Sequence, residues 1–159
     1  MQLQIKLYEC VCLRYYKHVG GPPRGVKIYG QYRMKGAPGA PHYIAVRGEH
    51  YLSEQRETWF GRVIAFVQYQ TGATWRGAAF VHWFEEVPNT DVTAELHMSR
   101  LRLAKQQRPS AVNTMRTMDY TDLVTLEDII EPVLIQPSGK PSGSGRVDTR
   151  YFFYNHFVR

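Results

Sequence analysis

The strongest structural signal in the chain lies at residues 59–84, which read WFGRVIAFVQYQTGATWRGAAFVHWF. Two runs of apolar and aromatic residues flank the short segment 70–73, which contains Gly72. Two such runs, joined by about four residues that include a glycine, are typical of a β-hairpin. Because both faces of each predicted strand carry apolar side chains, we expect this hairpin to lie in the middle of a barrel or sandwich.

The flanking sequence predicts more short strands and almost no helix. Residues 3–16 begin with alternating polar and apolar positions, which indicates a strand. Thr125 and Asp128 predict one capped helical turn that Pro132 ends. The fold class expected is therefore all-β, a small distorted β-barrel with one short helical turn. Further strands are expected near residues 26–32, 42–46, 95–103 and 133–135, with a flexible polar loop at 138–146 and a final strand at 150–158.

Length and composition point to one soluble domain covering residues 1–159. The chain has 159 residues, of which 43% are hydrophobic, and this is enough apolar material for a core. That composition excludes wholesale disorder, which requires few aromatic residues. The longest apolar run, residues 63–67, is far too short to cross a membrane, and the first 16 residues do not resemble a secretory signal. We therefore expect an intracellular protein that has no membrane partner.

The cysteine and histidine patterns predict neither a disulfide framework nor a metal site. Cys10 and Cys12 are the only cysteines, and strand neighbours two residues apart do not bridge easily. A single Cys-x-Cys beside His18 is not the paired spacing that zinc usually requires. We expect two buried, inert thiols on a core strand, in a reducing compartment. For His82 and His97, which fall on predicted strands, a satisfied or surface imidazole is expected rather than a metal ligand.

No catalytic pattern is found in the sequence. Gly139-Lys140 lacks the upstream glycine and the following Ser/Thr of a nucleotide-binding loop, and no Gly-x-Ser-x-Gly occurs. The adjacent carboxylates Glu85 and Glu86 follow a strand end and would point to opposite faces, so they are poor partners for acid–base work. The sequence predicts a protein that is not an enzyme, with no cofactor and no small-molecule substrate.

Charge is arranged in blocks along the chain, and the formal net charge is +6. Residues 99–118 carry five basic residues and no acid, whereas residues 119–131 carry five acids and no base. A basic face attracts nucleic acid or an acidic partner through long-range electrostatic steering, although a solvated surface gives the same pattern. The residues predicted to bind nucleic acid are Arg100, Arg102, Lys105, Arg108 and Arg116.

Four segments in order resemble the successive signatures of the bromo-adjacent homology (BAH) domain. They are residues 59–64 (WFGRVI), 79–84 (AFVHWF), 95–99 (ELHMS) and 126–133 (LEDIIEPV), within a signature region of about 42–137. The chain is also similar to BAH-like segments of eukaryotic transposase-type proteins from mobile elements, in which a final strand corresponds to Tyr151–Val158. The resemblance implies a β-barrel interaction module of nuclear, chromatin-associated proteins with no catalytic activity.

Some members of the BAH family bind methylated lysine of a histone tail in an aromatic cage, which holds the cation by cation–π attraction. Carried over to this chain, Trp59 or Phe60 would supply one wall and Trp83 another. Glu85 stands where some of the BAH domains that bind methylated lysine have a further aromatic residue, and its carboxylate would assist in holding a lysine cation. The cage candidates are therefore Trp59, Phe60, Trp83, Glu85, Tyr51 and Tyr120. Packing of Trp83 in the core remains the alternative, because aromatic stripes usually pack.

Three functions thus stay open at the level of sequence. The first is a nuclear chromatin or protein interaction module that binds a histone tail or a nucleosome. The second is a direct DNA-binding accessory domain of a transposase-derived protein, which would use the basic segment 99–116. The third is a purely structural accessory domain, and the end of the chain at Arg159, just after a predicted strand, is what a fragment of a larger protein would show.

Overall fold

The computed structural model describes residues 4–15, 20–31, 42–49, 56–87, 98–110, 114–137 and 152–155, and they form an all-β fold. This confirms the predicted fold class. One short helical turn, Leu126–Asp128, interrupts the strands. The strands are β1 Ile5–Tyr8, β2 Cys10–Tyr15, β3 Arg24–Tyr29, β4 Tyr43–Glu49, β5 Arg56–Thr71, β6 Thr74–Glu86, β7 Met98–Leu103, β8 Lys105–Pro109, β9 Met115–Asp119, β10 Thr121–Thr125, β11 Ile129–Val133, β12 Ile135–Pro137 and β13 Phe152–Asn155.

The chain divides into two compact units, and strand β6 runs from one into the other. The first unit comprises Met1–Val81 and Thr121–Val133, and the second comprises His82–Tyr120 and Leu134–Arg159. The prediction of a single domain covering residues 1–159 stays a prediction. The loop expected at 138–146 lies outside the described residues, and the expected final strand is described only as β13.

The predicted hairpin at residues 59–84 is present as β5 and β6, which are neighbours in the sheet. Its turn is tighter than the predicted segment 70–73 and consists of Gly72 and Ala73. Gly72 has a φ of 61°, in the left-handed region that glycine enters without a steric penalty. Val63 and Val81 are fully buried, as expected for strands whose side chains are apolar on both faces.

Among the described strands the sheets are not closed into a barrel, so the expectation of a barrel is wrong. The described strands follow the pairing order β11-β4-β5-β6 and then β6-β7-β13-β12, while β1 also pairs with β5 and β10 with β6. Strands β2 and β3 form a separate two-stranded sheet, as do β8 and β9. Because these four strands pair only with each other in the described chain, they do not supply the pairings that would close a barrel.

The core of the first unit is built on β3, β4 and β5. Ile28, Ile44 and Val63 are completely buried there. Gly30 follows β3, and its N–H donates to the carbonyl oxygen of Glu9 at 2.9 Å. A Cβ atom at Gly30 would lie 2.6 Å from the carbonyl oxygen of Ile64, so only glycine allows this close approach between two stretches of backbone.

The predicted helical turn is present as a single 3-10 turn, but the predicted cap is wrong, because the Thr125 side chain makes no capping hydrogen bond. Thr125 precedes it in an extended conformation, and its hydroxyl donates to the Asp128 carboxylate at 2.6 Å. The helical turn ends at Asp128, and Pro132 lies within β11 rather than ending the helix. In the described residues, no helix is long and apolar enough to cross a membrane.

The second unit carries its own apolar core. Leu101, Ile135 and Phe152 are buried on β7, β12 and β13. The rings of Phe84 and Phe152 meet edge to face, with 5.1 Å between their centroids. In this unit the last residues of β6 pair with β7, and the strand path continues through β13 to β12.

Substitution of Gly30 by alanine tests the close backbone contact in the first unit. We expect Gly30→Ala to lower the free energy of unfolding by roughly 2 kcal/mol, because the backbone at Ile64 must move to admit the methyl group. Gly25→Ala is the matched control, since nothing lies within 4 Å of a Cβ atom at Gly25, and it should change stability by less than about 0.5 kcal/mol. Urea unfolding measures both changes, and equal effects of the two substitutions would contradict the contact.

Candidate nucleic-acid interface

Three backbone hydrogen bonds fix the base of the β8–β9 hairpin. The N–H of Ala104, just before β8, donates to the carbonyl oxygen of Trp83 at 2.8 Å. The N–H of Tyr120, just after β9, donates to the carbonyl oxygen of Ala104 at 2.9 Å, and the N–H of Trp83 donates to the carbonyl oxygen of Tyr120 at 3.0 Å. These bonds form a closed ring of three residues, which we call the anchor ring. It fastens both ends of the hairpin to strand β6.

His82 supports the anchor ring from the interior of the second unit. The residue is 2% exposed, and its Nε2 atom lies 3.0 Å from the carbonyl oxygen of Ala104. Because a carbonyl oxygen only accepts hydrogen bonds, Nε2 must carry the proton. The other imidazole nitrogen of His82, Nδ1, lies 3.9 Å from the carboxylate of Asp119. This is the satisfied imidazole that the sequence predicted for His82, whereas His97 lies outside the described residues.

Beyond the anchor ring, β8 and β9 pair as an antiparallel ribbon that is exposed along most of its length. The register places Lys105 opposite Asp119 and Arg108 opposite Arg116. Near the turn, Ser110 donates its N–H to the carbonyl oxygen of Thr114 at 2.7 Å. Since side chains directly opposite each other share a face, the register sorts the ribbon into two faces.

One face of the ribbon consists of polar pairs that satisfy each other. Lys105 and Asp119 form an ion pair across the strands. The side-chain amide of Gln107 donates to the hydroxyl of Thr117 at 2.7 Å. Cross-strand pairs of this kind stabilise an exposed ribbon, each by a few tenths of a kcal/mol up to about 1 kcal/mol. We call this the paired face.

The other face carries two guanidinium groups and no acidic residue, and we call it the basic face. Its members are Gln106, Arg108, Arg116 and Met118. Arg108 and Arg116 are both exposed and stand directly opposite each other. The end of the Gln106 side-chain amide lies 3.1 Å from both Nε and Nη2 of Arg108, and it accepts a hydrogen bond from each when its oxygen is the atom turned toward Arg108. This face therefore presents closely spaced positive charge to the solvent.

The other three predicted basic residues are placed differently from Arg108 and Arg116. Lys105 lies on the paired face of the ribbon with Asp119. Arg102 lies on β7, where its Nε atom is 2.5 Å from the Glu85 carboxylate, and both side chains are largely exposed. Arg100 lies two residues earlier on the same strand and is half-buried. The structure thus separates the predicted cluster into the opposed pair Arg108 and Arg116, the ion-paired Arg102 and Lys105, and the half-buried Arg100.

The β2–β3 ribbon in the first unit is also exposed on one face, and this corrects the expectation of buried thiols. Cys12 is exposed and Cys10 half-buried, and both are free thiols. Lys27 stands opposite Cys12, and its ammonium lies 5.1 Å from the ring centroid of Tyr29. The hydrogen bond with Tyr29 raises the pKa of Lys27 above its usual value, and the nearby thiols add to this effect. The opposite face carries the half-buried side chains of Val11, Leu13 and Val26 and the completely buried side chain of Ile28.

The cage candidates in the second unit lie in three different settings. Trp83 is 6% exposed and packs as a core residue. Tyr120 is half-buried and belongs to the anchor ring through its backbone. Glu85 is engaged by Arg102. An aromatic wall must be open to a ligand to hold a cation, and the burial of Trp83 does not favour that role.

The remaining cage candidates belong to the first unit or lie outside the described residues. Trp59 and Phe60 are adjacent on β5, so their side chains point to opposite faces, and both are half-buried. The two rings therefore cannot line one pocket together. Tyr51 lies outside the described residues.

Comparison of the chain with protein-family models, with curated proteins and with solved structures gives no match. The resemblance to the BAH domain and to transposase-type proteins therefore stays a prediction. Within the described ranges, no three His, Cys, Asp or Glu side chains are grouped so that they could hold a metal ion.

Substitution of Trp83 separates the core role from the cage role. We expect Trp83→Ala to lower the free energy of unfolding by about 3–5 kcal/mol, because it empties a buried site beside the anchor ring. The matched control is Trp75→Ala, which removes a half-buried indole under the Lys6 ammonium and should cost about 1 kcal/mol. Chemical denaturation measures both values. A Trp83→Ala protein as stable as the parent, but unable to bind a methylated histone peptide, would establish the cage instead.

Proposed function

We propose that this chain is a non-catalytic binding module that contacts nucleic acid through the basic face of its β8–β9 hairpin. The observation that carries the proposal is the opposed pair Arg108 and Arg116, exposed on a face without an acidic residue. Arginine is suited to this role because its planar guanidinium binds phosphate oxygens with two parallel hydrogen bonds.

The energetics of the hairpin support an external anion as the partner of this pair. Like charges directly opposite each other destabilise a two-stranded ribbon, whereas opposite charges stabilise it. The paired face of the same hairpin has the stabilising arrangement, with Lys105 opposite Asp119. The repulsion between Arg108 and Arg116 therefore destabilises the hairpin on its own. A phosphate bound between the two guanidinium groups would make their contribution to its stability favourable.

The distribution of charge along the chain favours a polyanion over a single acidic side chain. Residues 99–118 contain five basic residues and no acid, and the whole chain has a net charge of +6. A nucleic acid offers a row of phosphates, so Arg100 and Arg102 on β7 could contribute at longer range once the hairpin is engaged. Binding of this kind requires no bond-making residues in the module.

Chromatin association and a nuclear location are parts of the same proposal, and a DNA-binding accessory domain of a transposase-derived protein fits it equally. Both rest on the sequence resemblance to the BAH domain, together with the basic hairpin. Recognition of a histone peptide by an aromatic cage receives less support, because Trp83 is 6% exposed.

The salt dependence of binding tests the proposal. We expect the protein to bind a short mixed-sequence nucleic acid, with log K falling linearly against log salt as counterions are released. Replacing both arginines, Arg108→Ala with Arg116→Ala, should weaken binding and make that slope shallower by about one unit for each arginine. Fluorescence anisotropy over a salt series measures the slope.

The matched control removes the same charge from the first unit. Arg47→Ala with Arg76→Ala replaces two exposed arginines on β4 and β6, and it should leave both affinity and slope nearly unchanged. Undetectable binding to both single-stranded and duplex probes would contradict the proposal, and so would equal losses in the two double variants.

A further inference from the structure

Resting on the proposed function, we infer that the nucleic acid is duplex DNA and that the β8–β9 hairpin enters its major groove with the basic face toward the base edges. The inference depends on the difference between the two faces of the ribbon. The side chains of the paired face bind each other, whereas the basic face presents the exposed hydrogen-bond donors of Arg108 and Arg116.

The dimensions of the ribbon match the major groove. Five residue pairs from Lys105–Asp119 to Pro109–Met115 form the ribbon, which at about 3.4 Å per residue is roughly 17 Å long. Its two strands lie about 4.8 Å apart, and with side chains they fill a groove of about 12 Å, which is the width of the major groove of B-form DNA. The minor groove, at about 6 Å, is too narrow for the pair of strands.

The chemistry of the basic face matches the base edges in that groove. A guanidinium can donate two hydrogen bonds to O6 and N7 of guanine, and the Nε and Nη2 edge of Arg108 faces the side-chain amide of Gln106 at 3.1 Å. This contact orients the guanidinium and directs its end-on edge, formed by Nη1 and Nη2, away from Gln106. Met118 is 47% exposed on the same face and is an apolar side chain of the kind that contacts the thymine methyl group.

The paired face explains why the ribbon has a preferred orientation. Lys105 with Asp119 and Gln107 with Thr117 already use their side-chain hydrogen-bonding groups on each other. The Asp119 carboxylate on that face would also repel phosphate. The basic face carries no carboxylate that would repel phosphate or neutralise its arginines, so it is the face that enters the groove.

The shape of duplex RNA provides a sharp contrast. The major groove of A-form RNA is deep and narrow, and side chains cannot read it, although its phosphate charge density is comparable. If only charge mattered, duplex RNA and duplex DNA of one sequence would bind alike. Groove entry requires the DNA to bind more tightly.

The first experiment compares anisotropy titrations of the full chain with three probes of one sequence, namely duplex DNA, duplex RNA and single-stranded DNA. We expect duplex DNA to bind about tenfold more tightly than either alternative. The second experiment blocks one groove at a time. A duplex with glucosylated hydroxymethyl groups at C5 of its cytosines has a filled major groove and should lose about tenfold in affinity. Netropsin, which fills the minor groove, should have no effect.

A charge-preserving variant separates groove contacts from simple attraction. Arg108→Lys with Arg116→Lys keeps both positive charges but loses the two-pronged contact with guanine. We expect its affinity for single-stranded DNA and duplex RNA to fall only slightly, through the lost two-pronged contact with phosphate, and its affinity for duplex DNA to fall about tenfold further, so that the preference for duplex DNA disappears. Arg47→Lys with Arg76→Lys is the control and should retain the preference for duplex DNA.

The outcomes distinguish the inference from the function on which it rests. Salt-dependent binding that ignores glucosylation, or that is equal for DNA and RNA duplexes, overturns groove entry and leaves nucleic-acid binding in place. Loss of binding with netropsin, but not with glucosylation, also overturns it by assigning the minor groove. No binding to any of the three probes overturns both proposals.

Discussion

The β8–β9 hairpin of the second unit is fastened by three backbone hydrogen bonds that connect Trp83, Ala104 and Tyr120. Strand β8 and strand β9 have almost no buried side chains, and a two-stranded ribbon without a packed face is at best marginally stable in water. The anchor ring provides the stabilisation that side-chain packing does not give this ribbon. It satisfies buried backbone groups at the point where the ribbon leaves the sheet, and His82 adds a further donor to the carbonyl of Ala104.

The anchor ring also decides what the ribbon can do. A hairpin fixed at both ends to a buried part of β6 presents its two faces in a constant orientation relative to its own unit. Two side chains eight positions apart in sequence, Arg108 and Arg116, are brought into direct opposition. On a loose loop the same arginines would separate to reduce their repulsion, and the closely spaced charge would be lost.

Local sequence patterns predicted the buried strands β5 and β6 and the single helical turn. Alternation and aromatic content identified β5 and β6 because Val63 and Val81 must lie in the core, and Thr125 with Asp128 identified the single helical turn. The β8–β9 hairpin was not predicted, because residues 105–119 show no apolar alternation and are exposed on both faces. The basic segment was predicted from composition, but its division into a paired face and a basic face depends on register, which no local pattern encodes.

Two other expectations failed for related reasons. Alternation in residues 3–16 predicted one strand, which the structure divides into β1 and β2, and it did not show which face of β2 lies toward the core. That face carries Val11, opposite the buried Ile28, and Leu13, whereas Cys12 is exposed on the other face. Sheet closure depends on pairing between distant strands, and β2 with β3, like β8 with β9, pairs within itself in the described chain. The sequence allows Trp83 either a core position or a cage wall, because an aromatic residue on a strand suits both, and its side chain is 6% exposed.

The free thiols of the half-buried Cys10 and the exposed Cys12 have a practical consequence for spectroscopy. They are the only cysteines of the chain, they belong to the first unit, and Cys12 is the more accessible of the two. A maleimide fluorophore or a nitroxide spin label would attach there without mutagenesis and without altering the second unit. Purification under reducing conditions would at the same time prevent covalent cross-linking between molecules through these sulfurs.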